Sequence, residues 1–195
     1  MQESELINKA KNGDIAAFEE LMRLHEKKVY TIAYKYMGNY EDAGDITQET
    51  FIKAYQVINT FREEASFGTW VSRIAANKAL DELRKRKRFQ TTSLEEEIEL
   101  EAGSISKEIA AEDATPEEYY LQQETGAYLQ SLLDEMREEY KVVIIMREVE
   151  GRTYEEIAEA LACSLGTVKS RLSRARNYLK EKIMRDRREQ LKYGR

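Results

Sequence analysis

The segment from Gly166 to Arg176, GTVKSRLSRAR, interleaves cationic and hydroxyl side chains in a pattern suited to a polyanion. Lys169, Arg171, Arg174 and Arg176 can donate to phosphates or guanine edges, and Ser170 and Ser173 can serve a base edge or a phosphate oxygen. No nucleophile and base stand together at a catalytic spacing, and the sequence has no G-x-x-x-x-G-K-[ST] phosphate loop. The chemistry on offer is recognition, with no catalysis expected.

A helix must present these groups. Val168, Leu172, Ala175, Leu179 and Ile183 recur at alternating spacings of four and three, which predicts a helix from about Leu165 into the tail with that stripe packed inward. Lys169, Ser170, Ser173, Arg174 and Asn177 then lie opposite, with Arg171 and Arg176 at the edges, better placed for phosphates than for bases. Upstream, Thr153 and Glu156 form a capping box for a helix from Tyr154 to Leu161, whose apolar face is Ile157, Ala158 and Leu161. Ala162-Cys163-Ser164 makes a short turn between the two helices. A capped helix, a short turn and a basic second helix form a helix-turn-helix, which enters the major groove with its amino-terminal residues.

A second constellation lies in residues 61–88, FREEASFGTWVSRIAANKALDELRKRKR. Ala76, Leu80 and Leu83 make one buried side of a helix, while Trp70, Ile74, Asn77 and Asp81 fall on another. Two readings fit. The helix could be buried between neighbours, with Asn77 and Asp81 satisfied internally. Alternatively the face holds unstacked bases, using aromatics of the preceding loop, the Asn77 amide for a base edge and the RKRKR run for the backbone. Ahead of it, in residues 45–58, Phe51, Ala54, Tyr55 and Ile58 form a core stripe that leaves Asp45, Glu49, Ile52, Lys53 and Gln56 outside. An exposed isoleucine among charges suits a protein interface with a small apolar centre.

The whole chain, 195 residues with 35% charged side chains, 42% hydrophobic ones and a single proline, predicts an all-α protein of two small helical domains joined by an acidic linker. Residues 1–89 read as about four helices, with breaks at Asn12-Gly13-Asp14, Gly38-Asn39 and Arg62 to Ser66. Ile7, Phe18, Leu21, Met22 and Val29 point to their core. Residues 90–114 form the linker, within which Leu94 to Leu100 could be a short acidic helix. Residues 115–195 form the second domain, opened by the cap Thr115-Pro116-Glu117-Glu118 and continuing in helices to Met136, from about Glu138 to Glu148, and through the helix-turn-helix.

Charge is segregated along this frame. Residues 1–90 carry 15 basic and 14 acidic side chains, residues 91–120 carry 1 and 10, and residues 167–195 carry 11 and 3. Fields act within about 8 Å at physiological salt, so a net charge of −6 does not oppose polyanion binding at the basic patches. As a coil the linker spans roughly 25 to 30 Å, and at most about 80 to 90 Å extended, enough to place its ends two DNA turns apart. Cys163 and His25 are each alone of their kind, which argues against a disulfide framework, a structural zinc site or any cofactor. Cys163 is expected as a half-buried turn residue and His25 at the surface. The amino terminus has no signal-peptide core and no apolar run approaches the roughly 20 residues of a membrane span, so the expected compartment is the cytoplasm, with no membrane partner.

Three ordered motifs resemble those of the extracytoplasmic-function sigma factors, the small two-domain initiation factors of bacterial RNA polymerase. They are D45-x-x-Q-E-T-F-I-K-A-Y55, F67-x-T-W-x-x-R-I-A-x-N77 followed by Asp81 and Arg84, and E150-G-R-T-Y-E-E-I-A158 leading into the segment 166–176. The resemblance implies that Asp45, Gln48, Glu49 and Lys53 dock on the β′ clamp helices of core polymerase. It implies that Phe61, Phe67, Trp70, Arg73, Asn77, Lys78 and Arg84 bind the minus-ten promoter element, capturing a flipped base in the loop 61–67. Lys169, Ser170, Arg171, Ser173, Arg174 and Arg176 would read the minus-35 element while the other surface of that domain meets the β flap. By the same analogy the linker threads toward the RNA exit channel, and an anti-sigma factor is a common partner. Family members often carry Leu-Pro where this chain has Met136-Arg137, and Gly44 precedes Asp45 where a helix-favouring residue is common. Two other classes predict different behaviour: a helix-turn-helix regulator would bind duplex DNA without polymerase, and a nuclease would need clustered carboxylates for metal.

Overall fold

The computed structural model describes residues 2–92 and 116–193, with side chains over 2–88 and 124–188. Every regular element among the described residues is helical, and the chain divides into two compact units, Met1–Ile109 and Ala110–Arg195. The expected linker beyond residue 92, its acidic helix at Leu94 to Leu100 and the Thr115 cap lie outside the described residues.

The first unit has four helices: α1 (Glu3–Lys11), α2 (Ile15–Met37), α3 (Tyr40–Val57) and α4 (Phe67–Thr92). Local chemistry sets each boundary. Asp14 caps α2 by accepting from the Ala17 amide at 3.1 Å, and Asn39 caps α3 by accepting from Asp42 N–H at 2.9 Å. Gly38 ends α2 in the left-handed region at φ 79°, where its N–H reaches Tyr34 O, a conformation that a Cβ would strain. Gly44 sits inside α3 with open space around its Cα, and the helix starts cleanly at Tyr40 regardless. Helix α4 runs past the basic run to Thr92 and packs a stripe of small residues, Ala75, Ala76 and Ala79, all fully buried, which lets α2 and α3 approach closely.

Three side chains depart from the sequence expectation here. His25 is mostly buried, its Nε2 hydrogen-bonded to Glu3 at 3.0 Å and its ring 5.4 Å from the Phe67 ring. Gly68 makes that burial feasible, since a Cβ there would meet the imidazole at 2.9 Å. Tyr55, expected in the core stripe, is 39% exposed because its ring lies edge-on to Phe18 at the rim of a groove rather than beneath it. Leu83 is only half-buried, while Val71, Ser72, Ala75 and Ala79 carry the inward face of α4.

The second unit contains α5 (Pro116–Asp134), α6 (Glu138–Ile144), a widened π turn (Ile145–Val149), α7 (Tyr154–Ala160) and α8 (Leu165–Tyr193). The capping box forms as the sequence predicts: Glu156 N–H donates to Thr153 Oγ1 at 3.1 Å and Thr153 N–H to Glu156 Oε2 at 2.9 Å. Ala162 takes φ 49° in the turn, a left-handed conformation that costs a non-glycine residue about 1–2 kcal/mol. Cys163 is half-buried there.

Burial fades along the stripe of α8. Val168, Leu172 and Ala175 are buried, Leu179 is half-buried, and Ile183, expected to pack inward, is 39% exposed. Cover from the neighbouring helices ends near Leu179. Beyond that point polar contacts tie the helix down, Tyr128 donating to Asp186 at 2.8 Å and Lys182 pairing with Glu135. Between the π turn and α7, Glu150 and Arg152 form a buried ion pair at 2.6 Å, with side chains 3% and 7% exposed. Arg152 Nη2 is buried without a hydrogen-bond partner. Arg147 donates to Arg152 O at 2.7 Å and lies over the Tyr154 ring.

Candidate nucleic-acid interface

Helices α8 and α4 begin alike. In Ser164-Leu165-Gly166-Thr167 the Ser164 hydroxyl accepts from Thr167 N–H at 3.1 Å, and in Ser66-Phe67-Gly68-Thr69 the Ser66 hydroxyl accepts from Thr69 N–H at 3.2 Å. These caps satisfy amides that the helix cannot, and they fix the helix start and so the direction of the first outward residues. The repeated S-x-G-T pattern is a signal that periodicity alone passes over.

On α8 the outward face is polar and solvated: Lys169, Ser170, Ser173, Arg174 and Arg176 are exposed, and Arg171 is half-buried. The arginines are held. Arg171 Nη2 lies 3.2 Å from Glu139, Arg174 Nη1 donates to the Tyr140 hydroxyl at 3.3 Å, and Arg176 donates through Nε and Nη2 to Glu148 Oε1 at 3.2 and 2.7 Å. The hydrogen bonds to Tyr140 and Glu148 raise the pKa of their guanidinium partners further, so both stay charged. Lys169 and Ser173 have no side-chain partner among the described residues. Glu139, Tyr140 and Glu148 come from α6 and the π turn, 28 to 34 positions upstream, where nothing in the sequence pattern marks them.

In the first unit the two readings of α4 separate. Asn77 and Asp81 are exposed, so the alternative of a helix buried on both sides with these groups satisfied internally is overturned. Asn77 has no side-chain partner among the described residues, and Asp81 pairs with Arg84 at 3.2 Å. Phe61 and Phe67, expected among the aromatics that hold a base, are 5% and 1% exposed. Their rings stand 5.7 Å apart and 5.1 and 5.5 Å from Trp70, which is half-buried over them. The phenylalanines thus anchor the loop from beneath because its apolar residues have no other core to join, and residues 62–66 are exposed above them.

The basic run is partly committed to structure. Arg86 bridges to Asp42 at 2.6 Å and to Glu82 at 3.3 Å, and its hydrogen bond holds the Asp42 carboxyl below its ordinary pKa. Lys78 pairs with Glu49 at 2.7 Å, which lowers the Glu49 pKa in the same way. Arg73 and Arg84 are exposed. On α3, Asp45, Gln48, Glu49 and Lys53 are exposed around Ile52, itself 61% exposed, beside a groove walled by Phe18, Met22, Phe51 and Tyr55.

A helical unit with a solvated amide beside a basic run, followed by a capped helix-turn-helix, is a two-part arrangement with the chemistry of a nucleic-acid-binding protein. Residues 21–89 match the family described as Sigma-70 region 2, and residues 126–179 match Sigma-70, region 4. The SigE sigma factor of Mycolicibacterium smegmatis is 37% identical over 87% of this chain and 63% of its own length, so the chain spans less than two thirds of that relative. The SigW sigma factor of Bacillus subtilis is 32% identical over 91% of this chain and 94% of its own length. Among solved structures, the sigma factor RpoE of Bartonella quintana, in complex with the anti-sigma factor NepR, superposes with a TM-score of 0.58 at 26% identity, covering 86% of this chain and 96% of that one. The chain belongs to the extracytoplasmic-function sigma factors, promoter-recognition subunits of bacterial RNA polymerase.

Proposed function

We propose that the chain docks on core polymerase through α3, reads the minus-35 element with α8 and the minus-ten element with α4, and traps melted DNA by binding energy, without catalytic chemistry of its own. One observation carries this reading: α8 buries Val168, Leu172 and Ala175 while presenting Lys169, Ser170, Ser173 and Arg174 to solvent behind a capped helix and a tight turn. Arg174 reads a base edge, and Arg171 and Arg176, each on a carboxylate, track phosphates. In the first unit Asn77 takes the flipped base, Trp70 flanks it, Arg73, Lys78 and Arg84 follow the backbone, and Phe61 and Phe67 support the loop. Asp45, Gln48, Glu49 and Lys53 meet the β′ clamp helices around Ile52, and the second unit also meets the β flap. Residues 1–89 and 115–195 are the two recognition modules and 90–114 joins them. The work is done in the cytoplasm, where the polymerase is, and an anti-sigma protein like the one bound by the Bartonella quintana relative is a natural partner.

Run-off transcription with bacterial core polymerase, this chain and a promoter library tests the reading. Transcripts sharing two upstream elements at fixed spacing are expected; no transcripts, with tight binding of duplex DNA by the chain alone, would instead identify a helix-turn-helix regulator. Arg174→Ala should cost about 1–3 kcal/mol, concentrated at one minus-35 position. A uniform loss across promoters would make Arg174 a phosphate contact. Asn77→Ala should reduce open complexes about 3- to 10-fold, the worth of a hydrogen bond lost to a captured base, with closed binding little changed. Thymine reactivity to permanganate equal to wild type would refute that role.

A further inference from the structure

We infer that Tyr140, at the start of α6, is a positioning residue that sets how Arg174 addresses its base pair; this rests on the reading of Arg174 proposed above. Arg171, Arg174 and Arg176 are held by different chemistry. Arg171 and Arg176 each lie on a carboxylate, whereas the hydrogen bond of Arg174 goes to a neutral phenol oxygen at 3.3 Å. A carboxylate competes with DNA for the whole guanidinium charge. A hydroxyl acceptor occupies one of the five N–H donors of Arg174, on which Glu139 acts only through space, and leaves the remaining fork free for a guanine edge. An unsupported arginine would also have to give up its rotamer freedom on binding, so holding it beforehand raises discrimination as well as affinity.

Tyr140 is itself fixed by two contacts with Arg137. Its backbone N–H donates to Arg137 O at 2.8 Å in the first turn of α6. The Arg137 guanidinium lies 5.3 Å from its ring centroid. Arg137 is in turn tied to Glu139 Oε1 at 2.9 Å, and the other oxygen of that carboxylate holds Arg171 at 3.2 Å. Arg137, Glu139 and Tyr140 therefore form a bracket that grips two neighbouring arginines of α8 from outside the helix.

The test uses the full chain assembled with core polymerase, transcribing a promoter library randomised across the minus-35 element, with Tyr140→Phe, Arg174→Ala and the control Tyr128→Phe. Tyr128→Phe removes a hydroxyl that bonds Asp186 in the same unit. The expected result is that Arg174→Ala erases selectivity at one position, that Tyr140→Phe lowers selectivity at that same position about 3- to 10-fold, and that Tyr128→Phe keeps the wild-type profile. If Arg174→Ala erases the preference and Tyr140→Phe leaves it at the wild-type level, the positioning role is wrong and the promoter-reading function stands. A uniform fall across all positions in Tyr140→Phe would show a merely structural tyrosine and also overturn the inference. An unchanged profile in Arg174→Ala removes the base contact itself, and both readings of that residue fall together.

Discussion

Glu150→Ala is expected to destabilise the second unit by about 3–5 kcal/mol, because it strands a buried guanidinium. Arg152 is 7% exposed, one of its terminal nitrogens already lacks a partner, and Glu150 holds its Nε at 2.6 Å. Against a typical domain stability of about 5–15 kcal/mol, such a loss leaves little margin. Urea melting of the full chain should show an early transition that belongs to the second unit. The paired replacement Glu150→Leu with Arg152→Met should recover most of the loss, since a buried ion pair is worth little more than well-packed apolar groups. A change below about 1 kcal/mol in the single variant would mean that water solvates Arg152 once the carboxylate is gone.

Phe67→Ala should cost a similar amount, about 3–5 kcal/mol, in the first unit. The ring is 1% exposed between His25, Phe61 and Trp70, so its removal leaves a cavity that three other rings line. Strand opening should fail as the loop 61–66 loses its floor, while recognition of the minus-35 element by the other unit persists. Phe67→Leu decides what the residue does. A supporting side chain tolerates it, with a modest loss of stability and opening retained. If Phe67→Leu abolishes opening at nearly unchanged stability, the ring stacks on a base and must turn outward in the complex.

The helical frame was legible because local rules set it. Asp14, Asn39, Thr153 and Ser164 sit at helix starts for reasons contained within four residues, and the stripe from Val168 to Ala175 needs only a helical period. Periodicity tells which way a residue points but not how far its neighbours reach. Ile183 obeys the period and is exposed because cover ends before it, and Tyr55 obeys it and stops at the rim of a groove. His25 shows the converse: surrounded by charges in sequence, it is drawn inward by Glu3 and Phe67, one 22 positions before it and the other far after it. The outward face of the recognition helix could be read from spacing, while its grip on Glu139, Tyr140 and Glu148 could not, since those pairings depend on how α6 crosses α8. In α4 the pattern left two orientations open, and only the exposure of Asn77 and Asp81 decided between them.

The continuous run of α8 from Leu165 to Tyr193 has a mechanical meaning. Its 29 residues rise about 43 Å without a break, with a fulcrum where Val168, Leu172 and Ala175 are clamped in the core. The far arm is held by polar contacts alone, Tyr128 to Asp186 and Lys182 to Glu135, and a sideways displacement of about 3 Å at Arg185, about 15 Å past Ala175, tilts the axis by about 11°. Because a helix transmits bending better than it absorbs it, a load on the exposed arm at Ile183 and Met184 is delivered as torque to Lys169 and Arg174. The rod that presents Lys169 and Arg174 is thus also a lever, its second arm extending past Ala175.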